Sequence, residues 1–188
     1  MMSQSSSDVV SDRLLDSAAS LVIQGGPSAA TVSAIAAEAG VSRMTVYRKF
    51  PDRHAIISAL FDRELGAIVA EAALIQSPSQ RERIVEAIAL SVQRINEHPL
   101  MSRVLRNEPE ELIEWITGHL GGTQRMARSA LQELIVGGQP GTGDGSVRAG
   151  NPDAMSLTLV LVAQTFVFAH RIGGTDAELR RLVKGYLT

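Results

Sequence analysis

Apolar residues recur along the chain at spacings of three and four, and strict alternation is nearly absent, so the pattern predicts helices throughout and an all-α fold. The first helix runs from about Val9 to Gln24, with Leu14, Leu15, Ala18 and Leu21 or Val22 inward, and "GGP" at 25–27 ends it. A second, Val32–Ala39, starts behind Thr31, whose side chain suits an N-cap. Gly40 tolerates positive φ, and Ser42 caps a third helix only two residues later. Ile35, Ala36, Ala39, Val41, Val46 and Phe50 then share one small core, which is the arrangement of a helix-turn-helix.

A long helix follows from Asp52 to Gln76, with Ile56, Ile57, Leu60 and Phe61 facing the head and Leu65, Ile68, Val69 and Ala72 continuing the apolar stripe. "SPSQ" at 77–80 breaks it. Further helices are expected over Arg81–Glu97, from Pro99 through Leu105, from Pro109 with Leu112, Ile113, Trp115 and Ile116, and over Thr123–Val136. "GGQPGTGDGSVRAGNPD" at 137–153 reads as a flexible linker, since it lacks the lysine of a phosphate loop and follows no strand. The last two helices span about Pro152–Arg171 and Asp176–Leu187. The former is apolar on nearly every face and the latter is striped by Leu179, Leu182, Val183, Tyr186 and Leu187, so pairing with the same helices of a second copy is the economical way to cover them.

This organisation suggests a disordered polar leader at 1–8, a helix-turn-helix domain at 9–54 and a helical regulatory and dimerisation domain at 55–188. The stretch Leu157–Ala169 is shorter than the roughly 20 residues a bilayer demands and is interrupted by Thr158, Gln164 and Thr165, so no membrane is expected. The 188 residues contain no cysteine, which excludes disulfides and thiolate chemistry and fits a cytoplasmic protein. His54, His98, His119 and His170 are scattered, with no helical pair at metal-ligand spacing, so neither a metal nor a cofactor is expected. An enzyme is disfavoured too, because no strand-borne nucleophile, metal pair or cofactor loop is present.

The formal net charge of −2 argues against a generally cationic surface, yet "SRMTVYRKF" at 42–50 places three cations and a tyrosine in nine positions. On a helical wheel Val46 and Phe50 fall together, Met44, Thr45 and Arg48 point the other way, and Arg43, Tyr47 and Lys49 flank the buried stripe. Such a helix offers cationic, hydrogen-bonding and methyl-contacting groups outward, as a major-groove reader needs. An ordinary helical hairpin with a solvated charged face remains the alternative, and Tyr47 could equally be a core residue with a wet hydroxyl.

Residues 31–60, "TVSAIAAEAGVSRMTVYRKFPDRHAIISAL", resemble the DNA-binding region of the TetR family of bacterial transcriptional regulators. The resemblance rests on Thr31, Ile35, Ala36, the "AGVS" turn, Thr45, Tyr47, Phe50 and Arg53, and covers about 50 N-terminal residues. It implies that Arg43, Met44, Thr45 and Tyr47 face base edges or thymine methyls, while Thr31, Ser33, Ser42, Tyr47, Arg48, Lys49 and Arg53 hold phosphates. Met44 departs from the small residue often found there.

The resemblance further implies a homodimer through the last two helices, a pseudo-palindromic double-stranded DNA operator, and a small-molecule effector held among the middle helices. Leu65, Val69, His98, Met101, Trp115, His119, Met126, Gln164 and Phe168 are the candidate pocket residues, since aromatic, thioether and isolated polar groups suit an apolar ligand. The expected function is a repressor released from DNA by that effector. An activator of the same family and a helical adaptor binding protein through the 42–50 helix are the alternatives.

Overall fold

The computed structural model describes residues 3–107, 121–169 and 173–188, and among these there are helices and turns but no strand. The described residues divide into two compact units, one within Met1–Glu64 and Pro99–His119, the other within Leu65–His98 and Leu120–Thr188.

In the first unit, α1 (Ser3–Gly25) begins ahead of the start near Val9 that the apolar spacing suggested, so part of the polar leader expected to be disordered is helical. It buries Leu14, Leu15, Ala18 and Val22 and packs against a 3-10 turn at Pro27–Ala29, against α2 (Val32–Glu38) and against α6 (Pro99–Asn107). Each short helix is started by the residue its sequence offers: the Ala34 amide donates to Thr31 Oγ1 at 3.1 Å, and in α3 (Arg43–Lys49) the Thr45 amide donates to Ser42 Oγ at 3.1 Å.

The turn between α2 and α3 is closed by two backbone bonds, Val41 to the Ala36 carbonyl and Gly40 to the Ala37 carbonyl. That pairing places the intervening residue in the left-handed region, and Gly40 has φ +63°. Ile35, Ala36, Ala39 and Val46 are buried where α2 meets α3, while Val41 and Phe50 are half-buried at the edge.

The helix α4 (Arg53–Ala73) opens behind Asp52, whose Oδ1 accepts the Ala55 amide at 2.7 Å. Its opening turns bury Ile56, Ile57, Leu60 and Phe61, and the division between units falls within this helix, after Glu64, not at residue 54. The α6 helix belongs to the first unit because Leu100, Met101, Val104 and Leu105 are buried and Arg103 Nη2 donates to the Gln24 carbonyl at 2.8 Å.

In the second unit, α5 (Gln80–Glu97) packs against α7 (Gly122–Gly138), α8 (Pro152–Ala169) and α9 (Asp176–Leu187), with α8 also against α7 and α9. The segment 137–153, expected to be a flexible linker, is instead a pinned strap. Asp144 Oδ2 accepts the Gln80 amide at 2.7 Å and Ser146 Oγ accepts the Arg81 amide at 3.0 Å, so the strap satisfies two otherwise bare amides at the start of α5. At its other end the Arg148 amide donates to the Leu187 carbonyl at 2.9 Å, and the Arg148 guanidinium donates to the Tyr186 carbonyl and lies over the Tyr186 ring.

Val147 is buried against Gly138, where a Cβ would lie 2.3 Å from a Val147 methyl. Glycine and proline content reports the turns such a strap needs. It does not report the hydrogen-bonding anchors, which lie 38 to 65 residues away in sequence.

Hydrogen bonds, first from Ser146 and then from the Gln80 amide, hold the Asp144 carboxyl below its ordinary value. A depressed folded value means the contribution is complete above the ordinary carboxylate range near pH 3.9 and is lost as pH falls through the folded value. Asp144→Asn is therefore expected to loosen the strap at pH 7, with the difference from the parent shrinking on acidification toward pH 3, as read by limited proteolysis within residues 139–150. A difference of constant size across that range would remove the carboxylate from this role.

Candidate functional site

On α3 the side chains separate by what they can do. Val46 is fully buried and fixes the helix on α2, leaving the opposite surface to solvent. Met44 is 75% exposed and Tyr47 is 53% exposed, so Tyr47 is a surface ring, not a core residue. From Ala39 to Pro51 the chain carries Arg43, Arg48 and Lys49 and no acidic residue, a local charge of +3 in a chain of net −2. A helix that exposes a thioether and an aromatic ring among cationic residues offers apolar contact and anion attraction on one surface.

The polar groups around it are ordered. Arg43 Nη1 donates to Ser33 Oγ at 3.4 Å, joining α3 to the exposed face of α2, and Ser42 Oγ lies 3.0 Å from Thr45 Oγ1. Thr31 and Ser42 each accept a backbone amide as caps, and a hydroxyl that accepts retains its own O–H as a donor. Arg53 Nη2 donates to the Pro27 carbonyl at 2.7 Å, which ties the start of α4 to the 3-10 turn. Arg48 is exposed. The residues read as base-facing and phosphate-facing thus lie on α2, α3 and the start of α4 within the first unit.

The second unit contains an apolar cavity of about 120 Å³ bounded by α4, α5, α7 and α8. Of the pocket residues expected from sequence, Val69 and Gln164 line it. The other described candidates do not gather there. Met101 is buried in the first unit, because α6 packs on α1. Leu65 is buried and His98 half-buried away from the lining, Met126 is exposed beside Gly66, and Phe168 is half-buried on α8. Trp115 and His119 lie outside the described residues.

Sequence reasoning missed the walls themselves, which are largely alanine: Ala72, Ala73, Ala87, Ala127, Ala130 and Ala163. Space forms where side chains stop at Cβ, and the findable signal was alanine at inward helical positions of four consecutive long helices.

The model of the bacterial regulatory proteins of the tetR family matches residues 14–60, which span α1 to the early turns of α4. Over 182 residues the chain is 30% identical to an uncharacterized HTH-type transcriptional regulator of Mycobacterium bovis, covering 93% of each. This protein belongs to the TetR family of bacterial transcriptional regulators.

Its fold is similar to that of the Rhodococcus erythropolis repressor QsdR, itself of the TetR family, at TM-score 0.73 and 20% identity over 96% of this chain and 95% of that one. It is also similar to Bacillus subtilis FadR in complex with stearoyl-CoA, at TM-score 0.56 and 19% identity over 94% and 97%. As a TetR-family member the protein is a DNA-binding transcriptional regulator and not an enzyme. The match begins at Leu14 and ends at Leu60, two residues that are fully buried in the unit carrying α3.

Proposed function

We propose that the protein is a homodimeric repressor that grips a pseudo-palindromic operator through α3 and lets go when a small molecule enters the cavity of the second unit. The observation that carries the DNA-binding surface is the exposed Met44 and Tyr47 on α3, among three cationic residues in a stretch with no acidic one. Arg43, Met44, Thr45 and Tyr47 read base edges. Thr31, Ser33, Ser42, Tyr47, Arg48, Lys49 and Arg53 hold phosphates.

Dimerisation through α8 and α9 is supported by how little of α8 one chain covers. By length and composition this helix could cross a bilayer, yet only 28% of it is buried within the chain. Its residues Ala154, Thr158, Leu161, Thr165 and Phe168 fall on one stripe, and Leu161 is 51% exposed. Thr158 and Thr165 donate their hydroxyls to the Ala154 and Leu161 carbonyls, so the stripe presents methyl groups without unsatisfied donors. A second copy laid on the same stripe covers both at once.

The effector reading is supported by the cavity and by α4, whose first turns belong to the DNA-binding unit and whose last turns supply Val69, Ala72 and Ala73 to the cavity wall. A ligand releases DNA if it favours a spacing of the two α3 helices that does not fit the operator.

Arg48→Ala tests the footprint. It is expected to weaken specific and random duplex DNA alike and to reduce the slope of log affinity against log salt by roughly 0.9 per protomer, about 1.8 per dimer. Fluorescence anisotropy across a salt series reads the slope, and an unchanged slope removes Arg48 from the phosphate contacts.

A further inference from the structure

We infer that the cavity of the second unit takes a compact, uncharged, largely apolar molecule about the size of one aromatic ring, carrying a single hydrogen-bonding group that meets the amide of Gln164. The inference rests on the effector reading above and narrows it to a ligand class.

Three observations limit what fits. Among the described residues no ionisable side chain lines the cavity, so a carboxylate, phosphate or ammonium group entering it would lose its hydration with no opposite charge from these walls to compensate. The space of about 120 Å³ is of the order of the roughly 150 Å³ that admits benzene in an apolar protein cavity. Alanines from all four bounding helices make this space by ending at Cβ, and the helix backbones behind them keep the part of a ligand held between them to about one ring in size.

The fourth observation concerns polarity. Ser91 donates its hydroxyl to the Ala87 carbonyl at 2.8 Å, and Gln124 accepts the Gly121 amide through Oε1. Gln164, half-buried on α8, makes no hydrogen bond with a described residue. Its amide both donates and accepts, so it suits a hydroxyl or a ring N–H on an otherwise apolar molecule. Phenols and indoles have this chemistry.

The test uses the full-length protein with phenol, toluene, benzoate and stearoyl-CoA, each titrated by calorimetry and by thermal shift, and operator affinity measured in parallel. Phenol and toluene are expected to bind, and benzoate at least about a hundredfold more weakly than phenol. Ala163→Leu should abolish binding of both neutral probes by filling the space, and Ala127→Met serves the same purpose should the first variant not fold. Gln164→Leu should cut phenol affinity by about tenfold and toluene affinity by far less.

Benzoate or stearoyl-CoA binding as tightly as phenol, or phenol binding that survives both filling variants, would overturn the ligand class. Operator release by stearoyl-CoA with no phenol binding would sink the class and leave the effector reading standing. Phenol binding that obeys the variants yet leaves operator affinity unchanged would uphold the class and sink the effector reading.

Discussion

Leu182→Glu is expected to yield a folded protein that no longer dimerises and that binds its operator about 10²- to 10⁴-fold more weakly. Leu182 is 50% exposed on α9 within one chain, so in the monomer the new carboxylate stays in water and the fold tolerates it. In the proposed dimer the same position is covered by the partner, and two-fold symmetry buries two carboxylates per interface. Each buried unpaired charge costs several kcal/mol, enough to weaken the dimer by more than about a hundredfold. Sedimentation velocity reads the assembly and circular dichroism the fold. An intact dimer would move the interface away from α9. Loss of helical signal would show that Leu182 supports the monomer instead.

The second large effect is expected at Leu60, fully buried in the first unit on the part of α4 that holds the DNA-binding head. Leu60→Ala removes a buried side chain and leaves a void, at a cost of about 2–5 kcal/mol. For a chain of this size that corresponds to a fall in melting temperature of roughly 5–20 °C. Operator affinity should fall with it, since Arg53 and its bond to the Pro27 carbonyl lie two turns earlier on the same helix. A melting temperature within about 2 °C of the parent would mean that the head does not depend on this packing.

Much of this architecture was legible because it is local. Thr31 and Ser42 announce helix starts, Gly40 marks the turn between them, and the spacing of Leu14, Ala18, Ile35 and Val46 assigns inward faces without any knowledge of neighbours. What escaped was non-local or depended on size. Asp144 and Ser146 read as linker residues until the start of α5 is beside them, and Arg148 until the end of α9 is. Met101 and Phe168 had the chemistry of pocket residues, but α6 carries the first to the other unit and helical phase puts the second on the outer stripe of α8. Alanine 87 or 163 has no chemistry to notice, yet the empty space exists because those side chains are short. The bond from Arg53 to the Pro27 carbonyl was equally hidden, since a guanidinium beside a helix start suggests a phosphate as readily as a carbonyl 26 residues upstream.

The central claim is that two copies of α3 read one duplex, and selection of bound sequences from a random duplex library tests it most directly. An enriched pseudo-palindrome is expected, with half-sites centred about one helical turn, or a small multiple of it, apart. Arg43→Ala is expected to relax the preference at one defined position in each half-site. Recovery of no motif, or of a single asymmetric site bound equally well by the Leu182→Glu monomer, would contradict that claim.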